Sequence, residues 1–165
     1  MKRFLLFIAA AVLTFGGCAA EHKTDAFQPR RGDSLTFTLT DDDFSASGRF
    51  VYDETGACTL RFEKPDTLAP YTFTLDGDAV GVLAGDVSDS MALRDLFDDS
   101  VVGAFFNGSR VFLFGDADYR KAKDGTYTSE ALVQGVQTAA RFASDGRLSF
   151  LQRGSLRAEF LAAAE

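Results

Sequence analysis

Apolar and polar residues alternate with a period of two along much of this chain. Leu35, Phe37 and Leu39 alternate with Thr36, Thr38 and Thr40. Past the polar turn Asp41-Asp42-Asp43, the residues Phe44, Ala46, Gly48, Phe50 and Tyr52 share one side, and Cys58, Leu60 and Phe62 mark a third segment. Lys64-Pro65-Asp66 interrupts the pattern. Tyr71, Phe73 and Leu75 resume it, and Asp76-Gly77-Asp78 turns the chain back toward Val80 and Val82. Such alternation marks strands with one face in a core, and an Asp-Gly turn between two runs marks a hairpin. The first half predicts an antiparallel meander of about five strands.

Near Ser88 the period changes. Leu93, Leu96, Phe97, Val101, Ala104 and Phe105 recur at helical spacing. With Ser88 as N-cap and Asn107-Gly108 as stop, they predict one amphipathic helix over about 89–106. Val111-Phe112-Leu113-Phe114 is apolar on both sides and predicts a strand covered on both faces. The charged stretch from Tyr119 to Gly125 reads as an exposed loop. Strands near 126–133, 136–143, 147–152 and 155–161 complete a second meander. An antiparallel sheet of this length curls, and its apolar face needs a cover. The expected fold is mainly β (α+β): a strongly curved sheet of about ten strands, an incomplete barrel, with the helix in its concave side.

The first residues follow a different logic. Lys2 and Arg3 precede an apolar run from Phe4 to Leu13, and Gly16 and Gly17 end it. This is the build of a secretory signal peptide, too short to span a bilayer comfortably. Phe15-Gly16-Gly17-Cys18 resembles the lipobox of bacterial lipoproteins. That resemblance implies removal of residues 1–17 and a diacylglyceryl group on Cys18, with two acyl chains giving stable anchoring. It implies an extracytoplasmic site: the outer leaflet of the cytoplasmic membrane in a monoderm, or the outer membrane in a diderm, which Ala19 permits. Residues 18–33 are expected to be the lipidated cysteine and a flexible tether, polar and broken by Pro29 and Gly32.

Without its first 17 residues the chain has 148, enough for one domain with its own core. Losing Lys2 and Arg3 leaves 15 basic residues against 24 acidic ones, a net charge of −9. Such a surface argues against nucleic acid and against electrostatic attachment to anionic headgroups. With Cys18 acylated, Cys58 is the remaining thiol, expected to be a buried core residue and not half of a disulfide.

Three stretches resemble the LolA/LolB-like lipoprotein-carrier superfamily, and in particular its clostridial-type lipoproteins of unassigned function. They are Cys58-Thr59-Leu60-Arg61-Phe62-Glu63-Lys64-Pro65 running to Leu68, the segment Tyr71–Asp78, and the run from Arg141 to Phe160. The resemblance implies a half-barrel domain over 34–162, with a helix at its mouth and a hydrophobic cavity for acyl chains. Candidate lining residues are Phe37, Phe50, Phe62, Phe73 and Phe112 from strand alternation, and Leu93, Phe97 and Val101 from the helix face. All of them suit a packed core equally well. Anchoring, where a carrier is soluble, implies a receptor-like or sensing role, with Leu68 as the apolar loop residue.

No catalytic constellation is legible. His22 is the only histidine and lies in the expected tether, so the folded region lacks the base of a histidine-dependent dyad or triad. Asp41-Asp42-Asp43, Asp76-Gly77-Asp78 and Asp116-Ala117-Asp118 lack EF-hand spacing and read as turns. Asn107-Gly108-Ser109 has the form of a glycosylation sequon but sits where a helix cap is expected. No metal or cofactor is expected. The expected function is a non-enzymatic, lipid-anchored envelope protein holding an acyl chain of a lipid or lipopeptide. The alternative is a protein-binding envelope module with a packed core and no ligand cavity, its protein partner unspecified.

Overall fold

The computed structural model describes residues 27–96, 100–115 and 117–163. Within them the chain forms one antiparallel sheet of eleven strands. The first six are β1 (Asp33–Asp41), β2 (Phe44–Tyr52), β3 (Cys58–Lys64), β4 (Tyr71–Asp76), β5 (Ala79–Ala84) and β6 (Val87–Ala92). A 3-10 turn, Leu93–Asp95, leads toward the helix α1 (Val101–Phe114). Then come β7 (Arg120–Lys121), β8 (Tyr127–Val133), β9 (Val136–Phe142), β10 (Leu148–Arg153) and β11 (Leu156–Ala162). Each meander runs outward from a centre where β1 pairs with β11, and β6 and β7 are the free edges, so the sheet is not closed.

The expected mainly β fold with one helix holds, and eleven strands stand close to the ten expected. The region between the meanders differs. The segment assigned to a helix from residue 89 begins as β6, which pairs along its length with β5. Ser88 is therefore a strand residue. The N-cap is Ser100, whose hydroxyl accepts the Gly103 N–H at 3.0 Å. The helix lies later than predicted and absorbs Val111–Phe114, the expected strand. Phe112 thus reaches the core from the helix, and Leu93 does so from the 3-10 turn.

The reason is that α1 is buried along most of its length. Val102 to Ser109, Phe112 and Leu113 are all shielded from water. A helix apolar nearly all round loses the 3.6-residue stripe that identifies it. Asn107-Gly108 does not stop the helix but sits within it, with Asn107 only 6% exposed. Gly108 rests against Leu151 and Arg153 of β10. The region from Tyr119 to Gly125 is not wholly an exposed loop, since Tyr119 is buried and β7 pairs with β8.

One face of the sheet is apolar throughout its centre. Leu35, Phe37 and Leu39 of β1, Phe50 and Tyr52 of β2, and Leu60 and Phe62 of β3 are buried, and the intervening threonines face outward. From the other half come Ala140, Phe142, Leu151, Ala158 and Phe160. The helix lies on this face, packed most closely on β8 to β11. Phe105 joins both halves: its ring lies 6.2 Å from Phe37, 5.5 Å from Phe50 and 6.1 Å from Phe160. Between β2 and β3 the register slips at Ser47/Gly48, and a Cβ at Gly48 would fall 2.0 Å from the Arg61 carbonyl oxygen. Only glycine admits that approach.

Candidate functional site

The inward face of the sheet can be followed along rows of paired residues. One row runs Leu35, Phe50, Leu60, Phe73, Val82, Asp89 from β1 to β6. Leu35, Phe50 and Leu60 are at most 3% exposed. Phe73 and Val82 are half-buried, and Asp89 is exposed. In the next row Tyr71 pairs with Ala84, and Ala84 with Val87. Tyr71 is 38% exposed and Val87 71%. Along these two rows burial falls toward the β6 edge, whereas in the row of Leu75 and Val80 both residues are fully enclosed; α1 packs mainly over the other meander. An apolar strip of Phe62, Phe73, Tyr71 and Val82 therefore runs from the core into solvent. Its rings are continuous, with Phe62 to Phe73 at 6.0 Å and Phe73 to Tyr71 at 6.2 Å.

The candidate lining residues divide accordingly. Phe37, Phe50, Phe62, Phe112 and Leu93 are buried, and the first three join Phe105 and Phe160 in one web of ring contacts. Phe73 and Val101 are half-buried against that core. Phe97 and Cys18 lie outside the described residues. Leu68, the expected loop residue, packs partly against the core. Tyr71 and Val82, read from sequence as strand residues, were not among the candidate lining residues, although Tyr71 shares the alternation that marked Phe73.

Clefts also occur away from this strip. A cleft of about 330 Å³ opens between the β4–β5 turn and the last turns of α1, with Val111 and Phe114 on its floor. An ion pair between Arg110 and Asp78 stands at its rim. A second hollow, about 240 Å³, lies against Thr36, Gly48, Glu63 and Glu159.

The opposite end of the helix face is closed by two tyrosines. Tyr52 donates its hydroxyl hydrogen to the Leu113 carbonyl at 2.8 Å, and Tyr119 donates to the Phe112 carbonyl. Helix C-termini leave carbonyls without partners in the helix itself, and here one side chain from β2 and one from the segment just before β7 take them. Burial pushes the Tyr52 phenol above its ordinary value, against the lowering influence of nearby Arg31. Burial pushes that of Tyr119 up to about 12, with Tyr52 adding to it.

Of the expected flexible tether over 18–33, residues 18–26 lie outside the described residues, while residues 27–32 dock against the sheet. Phe27 stacks on Tyr127 at 4.0 Å and lies 4.6 Å from Tyr119 and 5.3 Å from Phe142. The Arg30 N–H donates to the Gly146 carbonyl at 2.9 Å, and the Gly32 N–H to the Tyr52 carbonyl at 2.7 Å. The Arg30 guanidinium lies 3.2 Å from Asp33 and 3.6 Å from Asp145. Burial raises the Asp33 carboxyl, while Arg30 draws it down.

Among the described residues, no group of three or more His, Cys, Asp or Glu side chains comes together as a metal site. None of their helices is long and apolar enough to cross a membrane. Cys58 is fully buried and free, and burial pushes its thiol far above the usual range. A neutral, enclosed thiol is a poor nucleophile. No family model matches this chain, and no curated protein matches it.

Proposed function

We propose that this protein is a non-enzymatic, lipid-anchored envelope lipoprotein that holds an acyl chain in a half-barrel. The sheet is read as strongly curved, with α1 on its concave side and the open part of that concavity over β4 to β6. The observation that carries the reading is the falling burial from Leu60 through Phe73 and Val82 to Tyr71 and Val87. A row of apolar side chains that begins in the core and ends in water offers a linear hydrocarbon a continuous surface. Binding would follow from removing apolar area from water, about 25 cal/mol per Å² before the costs of association.

Anchoring through Cys18 is supported by Lys2 and Arg3, the apolar run after them and Phe15-Gly16-Gly17-Cys18. The membrane is thus the first partner and an acyl-bearing lipid or lipopeptide the second, with no cofactor and no nucleic acid. The site is extracytoplasmic, on the cytoplasmic membrane of a monoderm or the outer membrane of a diderm.

The test is uptake of cis-parinaric acid, a fatty acid that fluoresces when shielded from water. Stoichiometric, saturable uptake is expected, together with its loss in a Phe73→Asp variant that keeps its thermal transition. Absence of uptake by the unaltered protein would sink the acyl reading. It would favour the second one, a protein-binding module, for which the dense ring web around Phe105 speaks.

A further inference from the structure

The two tyrosines that hold the end of α1 are both touched by residues 27–32. Phe27 lies against Tyr119 on one side and Tyr127 on the other, 4.6 Å and 4.0 Å between ring centres. Gly32 donates its N–H to the Tyr52 carbonyl, and the Arg31 guanidinium stands 5.7 Å over the Tyr52 ring. Tyr119 lies just before β7, and the Ser129 hydroxyl donates to the Asp118 carbonyl beside it at 2.7 Å. Its ring is held by neighbours, Phe142 at 5.7 Å and Phe27 closer still. Arg30, between the two contacts, is tied to the β9–β10 turn through Gly146 and Asp145.

We propose that residues 27–32 are a strap that sets the helix clamp, so that lifting the strap loosens the C-terminal half of α1 from the sheet. The strap crosses from one meander to the other, from Tyr127 and Phe142 to Tyr52, and grips a tyrosine at each side. Removing Phe27 takes away one wall of the Tyr119 site. The Tyr119 ring then keeps Phe142 but loses its nearer aromatic neighbour, and its hold on the Phe112 carbonyl weakens. A helix whose last carbonyls lose their partners frays from that end. Force or binding applied to the chain upstream of Phe27 is thereby converted into mobility of the helix that covers the apolar face. The link from strap to ligand uptake rests on the acyl-binding reading above; the link from strap to helix does not.

Hydrogen exchange of the full chain tests it, with Phe27→Ala and Arg30→Ala compared with the unaltered protein. In Phe27→Ala, amides of 105–114 should exchange roughly tenfold faster, the size of effect one lost aromatic contact allows. Protection of 44–62 should stay unchanged. Arg30→Ala frees the strap at its polar end without entering the aromatic site, and should shift the same amides by less. Faster exchange confined to 27–32 and 119–127, with α1 unchanged in both variants, overturns the proposal. If Phe27→Ala loses protection in every strand, Arg30→Ala decides by the same criterion. Uptake of cis-parinaric acid by the same proteins separates the two readings. Faster uptake with a looser helix supports both. A looser helix with no uptake by any of the proteins keeps the strap and sinks acyl binding.

Discussion

Tyr52 and Tyr119 donate to consecutive carbonyls of one helix, those of Leu113 and Phe112. One phenol comes from β2 in the first meander and the other from the segment that leads into the second. No basic side chain occupies the last turn of α1, so these hydroxyls do what a lysine or arginine often does there. Replacing either tyrosine by phenylalanine should cost about 1–2 kcal/mol, since a buried carbonyl loses its donor. The double variant should cost less than the two separately, because each phenol holds the same helix end. Chemical denaturation of the three variants measures this; strict additivity would show that the two phenols act independently.

Alkaline titration should expose the same clamp. The Tyr119 phenol titrates near 12 in the folded protein and near 10 when unfolded. Its folded value is raised, so its contribution is fully present below about pH 10 and is lost as pH rises toward about 12. Stability should fall over that window, and the fall should be shallower in Tyr119→Phe. Denaturation midpoints at pH 9, 10 and 11 provide the comparison, and identical slopes would refute it.

Two glycines should respond to alanine in opposite directions. At Gly48 a methyl group would meet the Arg61 carbonyl and the Phe62 Cα, both backbone atoms that cannot step aside. Gly48→Ala should destabilise by about 2–4 kcal/mol. At Gly108 the nearest atoms would be side-chain atoms of Arg153 and Leu151 at 3.6 Å, ordinary contact. Gly108→Ala should stabilise by about 0.5–1 kcal/mol, because alanine restricts the unfolded chain and suits a helix. Melting temperatures that move the same way for both would show that the space at one of these sites has been misjudged.

The anchor is open to a direct test. Cys18→Ser should abolish incorporation of labelled palmitate and move the protein out of the membrane fraction. Labelling that persists in the variant would place the lipid elsewhere, and an unaltered protein that incorporates no palmitate would overturn the anchor.

Legibility followed exposure to water. Leu35, Phe37 and Leu39 alternate with threonines because one face of β1 meets the core and the other meets solvent, so that strand could be read directly. Phe112 and Phe105 could not be read so, because α1 has almost no wet side to impose a period on it. Ser88 and Asn107-Gly108 carry the chemistry of helix ends, yet neither is one; pairing with β5 claimed the first, and packing against β10 claimed the second. Of the candidate site, Phe73 was legible as an inward strand residue. Its difference from Phe50, one half-buried and the other enclosed, was not.

Local sequence by itself determined most strands of both meanders (though not β6 or β7), the turns between most of them and the buried thiol of Cys58. These depend on periodicity, on turn residues or on short motifs, and each is complete within a few neighbouring positions. Tertiary structure alone decided where the helix begins, that Tyr52 and Tyr119 both meet its end, and that Phe27 lies folded back beside them. Those features join residues as distant as 27 and 142, and no local pattern records a contact whose partners are brought together only by the closing of β1 on β11.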